Sequence, residues 1–371
     1  MSFAPKLSIC IPTFNRSELL RDLLTSLVRE VRGLSSEVEV VISDNCSDDE
    51  TSVVVEGYRD RLNLVYHRND ENRGISANIL EVTDHASGHY CWMLGDDDLP
   101  VSGSIRQVVN IINDNPEILG IVTGYSYERA NEKSEFAKPT SERKFGNSVF
   151  KNQNKDGIIS RWEDTILLSD KAALHTSIVS CVFRANLWRT VKAEIFPEVG
   201  NGAFTSLKNT FPHTVIWANM FTGKPVYLLS SPQVYFFVGE QEWFKPKWAT
   251  IQFSFCLQLA QYFRKLGALE EPCRYYESVI LKSRETLLSL FTEGNDYSNK
   301  YFSCKWLIDQ YGNRSELWES LSWVMSKLGV KHAILFGIKT NFYALANLQL
   351  GHHLSRFDMR LAKKICRRAF G

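Results

Sequence analysis

The apolar positions of the first 125 residues fall into short runs separated by helical stripes. Residues 7–11, 38–42, 62–67, 90–94 and 118–125 are compact hydrophobic segments bounded by polar or turn-forming residues, as buried parallel strands are. Between the first two, Leu19, Leu20, Leu23, Leu24, Leu27 and Val28 recur on one face of a helix, with Ser17 placed to cap it. A second helix holds Val53, Val54 and Val55 behind Asp48 or Asp49, and residues 74–85 and 102–113 read as a third and fourth. This β-α alternation predicts an α/β fold, a Rossmann-like and mostly parallel sheet with helices on both faces. Ligands of such sheets lie beyond the carboxyl ends of the strands, which puts Pro12 to Arg16, Asp44 to Ser47, Arg73 and Asp96 to Asp98 along one rim.

Past residue 125 the pattern loosens. Residues 128–156 are polar and aperiodic, which predicts a loop or lid. Residues 158–168 read as a helix, and 177–183 and 226–238 as strands. From Trp248 onward amphipathic stretches at 249–266, 272–291, 315–328 and 331–349 predict a helical C-terminal region. The expected division is therefore 1–245 and 246–371.

Composition changes this picture little. With 44% hydrophobic and 23% charged residues, the 371-residue chain has the makeup of a globular protein with a substantial core. A net charge of +1 supplies no global field toward nucleic acid, and none is expected as a partner. The eight cysteines show no C-x-x-C spacing, which argues against a zinc site and for reduced, buried thiols in the cytoplasm. No apolar run reaches about 18 residues, the length of a membrane span. Residues 356–370 carry six basic residues against one acid, with Phe357, Leu361 and Ile365 on one helical face. Such a tail suits peripheral contact with the inner face of a membrane or packing on the protein itself, and oligomerisation stays open.

The chemistry concentrates in Asp96-Asp97-Asp98, at the mouth of a buried strand. Like charges this close repel unless a cation sits among them, so a divalent metal, Mn²⁺ or Mg²⁺, is expected there; a solvated acidic turn is the alternative.

Four motifs sharpen this. Ser8-Ile9-Cys10-Ile11-Pro12-Thr13-Phe14-Asn15-Arg16 resembles the opening signature of the family 2 glycosyltransferases of the GT-A fold. Val40-Val41-Ile42-Ser43-Asp44-Asn45-Cys46-Ser47-Asp48-Asp49-Glu50-Thr51, Asn72-Arg73-Gly74-Ile75-Ser76-Ala77-Asn78 and the run from Gly88 to Asp98 are similar to its next three, in order. Within the family the likeness is to abequosyltransferase-type enzymes of bacterial surface-polysaccharide and O-antigen synthesis. The resemblance implies a nucleotide-sugar donor, UDP- or CDP-linked, and a glycan or polyprenyl-diphosphate-linked glycan acceptor. It places Pro12, Thr13 and Asn15 around base and ribose with Arg16 at the edge, Asp44 on a pyrimidine N–H, and Arg73 near base or phosphates. Gly95 stands where the family usually has its first aspartate. The metal then rests on Asp97 and Asp98 with Asp96 as a ribose or metal contact, or on the pair Asp96 and Asp98.

The family is mostly inverting and needs a base for the acceptor hydroxyl. Its usual Glu-Asp motif is missing from the expected place, which reads Phe211-Pro212-His213, so His213 is the candidate, with Glu240 and Glu242 in reserve. Glu163-Asp164 has the letters but falls early, on what reads as a solvated helix face. A sugar nucleotidyltransferase should show a glycine-rich loop after the first strand, and Ile11-Pro12-Thr13-Phe14-Asn15 has no glycine. A catalytically inactive glycan- or nucleotide-binding relative is the remaining alternative.

Overall fold

The apolar runs at the start of the chain pair side by side. In the computed structural model, which describes residues 4–129, 147–171, 174–197, 203–238, 245–292, 296–324 and 326–327, β1 (Leu7–Thr13) lies between β2 (Val38–Asp44) and β4 (Tyr90–Met93). Both run parallel to it, and β3 (Leu64–Arg68) adds a further parallel strand beyond β2. Every residue of β2 is buried, which is why it carries three consecutive apolar residues before the polar rim, Val40, Val41 and Ile42, with a buried Glu39 behind them. That carboxylate accepts hydrogen bonds from Ser8 Oγ, Ser87 N and Oγ, and Gly88 N, tying together the strand ends opposite the rim.

The helices follow the stripes. α1 (Ser17–Glu30) buries Leu20, Leu23, Leu24 and Leu27. Ser17 is its first residue rather than its cap: Asp49 Oδ2 accepts the Ser17 N–H, while Asp49 Oδ1 accepts the N–H and hydroxyl of Thr51 at the head of α2 (Thr51–Glu56). One carboxylate thus serves two helix starts, where free N–H groups favour negative charge. α3 (Ile75–Glu81) continues as a single 3₁₀ turn to His85, and α4 (Ser104–Asp114) follows the two-residue strand β5 (Leu99–Pro100).

The second half of the sheet is mixed. β9 (Cys181–Arg184) runs antiparallel between β4 and β6 (Gly120–Arg129), and β10 (Val226–Val238) lies parallel to β6. β7 (Asn147–Ser148) pairs with β6, and β5 and β8 (Gly157–Ile159) pair antiparallel with β10. Among the described residues the sheet has ten strands. The helix expected at 158–168 is instead the end of β8 followed by a 3₁₀ segment, Trp162–Leu168. α5 (Ala185–Ile195), α6 (Leu207–Thr210) and α7 (Pro212–Phe221) come next; α7 is buried all round except at Asn219.

The chain divides into two compact units, Met1–Ile280 and Leu281–Gly371. The first extends past the compositional break at 245 to take in α8 (Lys245–Ile251), a π-helical turn at Gln252–Cys256, α9 (Leu257–Lys265) and nearly all of α10 (Glu270–Leu281). The second contains α11 (Arg284–Thr292), α12 (Asp296–Tyr301), α13 (Cys304–Tyr311) and a helix at 315–324. The stretch expected to be helical at 331–349, the basic tail at 356–370 and most of the expected lid, 130–146, lie outside the described residues. Among the described residues no helix is long and apolar enough to cross a membrane.

Candidate active site

β1 and β4 end side by side, and the loops that leave them meet. Thr13 Oγ1 donates to Asp96 Oδ2 at 2.8 Å. Arg16 Nη1 donates to Asp96 Oδ1 at 2.7 Å and to Asp97 Oδ2 at 3.1 Å. Asp98 is turned the other way: its Oδ2 accepts the Gly95 N–H and its Oδ1 the Phe237 N–H of β10. The acidic loop is therefore held on three sides, by β1, by its own turn and by β10.

Its electrostatics are unbalanced. Of three adjacent carboxylates, two share one guanidinium and the third has none among the described residues, and Asp96 and Asp98 are almost fully buried. Burial pushes the Asp96 carboxyl up to about 6, against the pull of Arg16, and pushes Asp98 well above the usual carboxylate range, helped by the charge of Asp97. The described residues contain no ready cluster of three His, Cys, Asp or Glu for a metal. They do fit one in a more limited way. A Cβ at Gly95 would lie 2.7 Å from Asp98 Oδ2 and 2.8 Å from Asp97 Oδ1, so these two oxygens converge over the bare glycine. A Cβ at position 95 would crowd both oxygens, so one of the two carboxylates would have to shift. Mg²⁺-like ions are commonly bound by one or two carboxylates with substrate phosphates completing the shell, and two oxygens suffice for that.

The rest of the rim is a polar lattice. Asn78 of α3, buried, donates to the carbonyls of Thr13 and Ser43 and accepts from Ser43 Oγ, riveting the ends of β1 and β2. Asn45 accepts from Asn69 Nδ2 and the Arg73 N–H and donates to Asn72 Oδ1. Asn15 and Cys46 adopt positive φ, 52° and 68°, an uncommon backbone for non-glycine residues that tends to gather at functional sites. Asn15 closes the loop by accepting the Asp48 N–H and donating its own N–H to Ser47 Oγ.

Two rim residues already hold partners within the protein. Asp44 is fully buried, with Oδ1 accepting the Ser47 N–H and Oδ2 accepting the Tyr66 hydroxyl at 2.7 Å. Each oxygen keeps a second lone pair for another donor. The Arg73 guanidinium pairs with Glu81 of its neighbouring helix. Pro12 is half-buried at the end of β1, in register with Ser43.

Residues 8–173 match the family described as Glycosyl transferase family 2. This region belongs to that family. It is 34% identical over 114 residues to abequosyltransferase RfbV of Salmonella typhimurium, covering 30% of this chain and 34% of that protein. It is 32% identical over 113 residues to a GalNAc(5)-diNAcBac-PP-undecaprenol beta-1,3-glucosyltransferase of Campylobacter jejuni, covering 30% of this chain and 35% of that one. The matches thus span about a third of the length of these curated relatives. The crystal structure of S. aureus TarS 1-349 with UDP-GlcNAc superposes with a TM-score of 0.54 at 19% identity, over 90% of this chain and 88% of that one, which shows the GT-A fold.

In a family 2 domain the acceptor side should supply the base. His213 sits in the first turn of α7, 3% exposed, with Nε2 3.0 Å from the Thr176 carbonyl. A carbonyl only accepts, so Nε2 carries the ring hydrogen. Burial lowers the His213 pKa to about 4, so the ring is neutral at pH 7 and its lone pair lies on Nδ1. That atom has no hydrogen-bond partner among the described residues. Glu163, expected on a solvated face, is instead buried and accepts the Gly223 N–H through Oε2. Only Asp164 of that pair is on a partly open face, against Arg161. Glu240 and Glu242 lie outside the described residues. Sequence reasoning missed the contacts made by Tyr66 and Asn78, whose partners lie at least 22 residues away.

Proposed function

We propose that this protein is a glycosyltransferase that moves a sugar from a UDP- or CDP-linked donor to a glycan or lipid-linked glycan acceptor, with inversion, in bacterial surface-polysaccharide synthesis. The observation that supports it best is the convergence of Thr13, Arg16 and the three aspartates at the shared end of β1 and β4. That placement is beyond the carboxyl ends of parallel strands, where such sheets bind ligands.

In this reading the nucleotide lies over the loops after β1 and β2. Thr13 and Asn15 face base and ribose, Asp44 offers a lone pair to a pyrimidine N–H, and Asp96 contacts the ribose. Asp97 and Asp98 hold a divalent cation, Mn²⁺ or Mg²⁺, which when bound neutralises the charge developing on the departing diphosphate. Arg73 exchanges Glu81 for the donor phosphates. The acceptor oxygen attacks the anomeric carbon from the face opposite the diphosphate. The bond from that carbon to the phosphate oxygen breaks, and the hydroxyl proton passes to His213 Nδ1, with Glu240 or Glu242 as the alternative base. The basic tail at 356–370 would bring the enzyme to a lipid-linked acceptor at the cytoplasmic face of a membrane.

Calorimetric titration with UDP, CDP, GDP and ADP, each with Mn²⁺ or with EDTA, tests the donor half. Pyrimidine diphosphates should bind with Mn²⁺ and purine ones poorly. Equal binding of all four, or full transfer activity in EDTA, would overturn it. Tight nucleotide binding without transfer to any glycan acceptor would favour the inactive binding relative.

A further inference from the structure

Arg16 is spent on the very carboxylates that the proposed cation needs. It stands between β1 and α1, and a single guanidinium nitrogen donates to both Asp96 and Asp97 across the gap between two loops. Its side chain is 23% exposed, while those of Asp96 and Asp97 are 6% and 7% exposed, so the bridge is largely shielded from water. Ion pairs such as Arg21–Glu18 and Arg59–Glu56 differ, being exposed and contained within one turn of helix.

We propose that Arg16 is the resident counter-cation of the acidic loop, competing with the divalent ion for Asp97, so that the ion binds well only together with the nucleotide. The inference rests on the reading of Asp97 and Asp98 as metal-holding residues. Asp97 presents Oδ2 to Arg16 and Oδ1 to the cradle over Gly95. An ion in that cradle, at the usual 2–2.6 Å from oxygen, would sit only a few ångströms from the guanidinium. Two cations at that separation repel, and the loop has three carboxylates to share between them. A diphosphate arriving at the rim changes the count: its negative charges give Arg16 another partner and give the ion further oxygen ligands. Ion and nucleotide then favour each other, and by linkage each raises the affinity of the other by the same factor. Arg16 is thus a positioning residue, keeping the aspartates in place before the donor arrives and suppressing metal binding in its absence.

The test is Mn²⁺ binding, read from the free-Mn²⁺ electron paramagnetic resonance signal, for wild type, Arg16→Gln and Arg16→Lys, without nucleotide and with saturating UDP. Arg16→Gln should bind Mn²⁺ alone about tenfold tighter than wild type, within the usual range of coupling factors. The enhancement of Mn²⁺ binding by UDP should shrink to match. Arg16→Lys keeps the charge but not the planar fork, and should fall between; it carries the test if the glutamine variant melts early. Unchanged or weaker Mn²⁺ binding by a well-folded Arg16→Gln, with UDP-dependent binding intact in wild type, overturns the role of Arg16 alone. If wild type binds no Mn²⁺ even with UDP, or Asp98→Asn binds it equally well, the metal reading itself has failed and takes this proposal with it.

Discussion

Around the strand ends of the first hundred residues, buried polar atoms find partners. Both oxygens of Asp44, Asp96 and Asp98 accept hydrogen bonds, and Asn45 and Asn78 use their amides in full lattices. The wall built between residues 161 and 222 is different. Nδ1 of His175 and of His213, Oε1 of Glu163 and Nε1 of Trp188 and Trp217 are all buried without a partner among the described residues. Each such atom costs about 1–3 kcal/mol when it is left so. The rim is thus held by its own hydrogen bonds, whereas the wall contains buried polar groups with no partner among the described residues.

The sharpest way to break that contrast is Asp98→Asn, which should leave the rim standing and remove its chemistry. The amide oxygen can still accept one of the two backbone N–H bonds, so the protein should melt within a few degrees of wild type. Transition-state charge stabilisation by a cation is worth several kcal/mol, and each 1.36 kcal/mol is tenfold in rate. Initial transfer rates at saturating Mn²⁺ should therefore fall by about 10³-fold. Retention of a tenth of the rate would mean that the aspartates serve the fold alone.

His213→Ala probes the wall. Loss of a general base typically costs about 10²–10⁴-fold. A base held near pKa 4 by burial is a weak one, which places the expected fall in kcat near the lower end, about 10²-fold. UDP affinity should stay at the wild-type value. A variant that melts early yet keeps its kcat would make His213 a core residue, and the same measurement on Glu240→Gln and Glu242→Gln would then locate the base.

The contrast also marks where the sequence was readable. Residues 7–11, 38–42 and 90–94 could be recognised as strands because a buried parallel strand is apolar on both faces, and the last was seen to run directly into the aspartates. Residues 226–238 were equally plain. Strand direction was not, since nothing in the letters of Cys181–Arg184 says that β9 runs antiparallel between two parallel neighbours. At 158–168 the spacing of Ile158, Trp162, Thr165 and Ile166 suits a helix, and the chain spends it on a strand end and 3₁₀ turns. Glu163 looked solvated because its partner, the Gly223 N–H, is 60 residues away. Gly95 read as a departure from the family motif, and only geometry shows that a Cβ there would crowd Asp97 and Asp98.

A smaller effect comes from pH. The folded value of Asp96, about 6, lies above the ordinary carboxylate value of about 3.9. Its contribution to stability is therefore full below about pH 4 and is lost as pH rises through 6, where a buried negative charge appears. A cation held at the neighbouring Asp97 and Asp98 would favour the ionised form of Asp96 and offset that loss. The rise in Tm on adding Mn²⁺ and UDP should be slight at pH 5 and reach several degrees by pH 7.5. A shift that is equal at both pH values would mean that the aspartates do not take up protons as the cation leaves.

The smallest expected effect falls on Tyr66, whose hydroxyl donates to Asp44 Oδ2 from the edge strand β3. Tyr66→Phe removes one hydrogen bond to a carboxylate and nothing else, since the ring stays in place and Ser47 still holds Oδ1. Two consequences oppose each other. Oδ2 gains a lone pair for an incoming base, which strengthens binding; but the carboxylate loses the contact that fixes its rotation, and Arg68, 3.6 Å away, is then the nearest donor to claim it. A hydrogen bond to a charged group contributes about 1.5–3 kcal/mol, and part of it is recovered when a base N–H takes its place. The net result should be a three- to tenfold weaker UDP affinity with kcat unchanged at saturating donor. Asp44→Ala, which strands the Ser47 N–H and the Tyr66 hydroxyl together, should cost about 1–3 kcal/mol in nucleotide binding and lower the melting temperature as well. If Tyr66→Phe tightens UDP instead, the lone pair outweighs the orientation, and Asp44 reads the base through Oδ2. If neither variant changes UDP affinity, the base lies away from β2, and the rim serves the diphosphate alone.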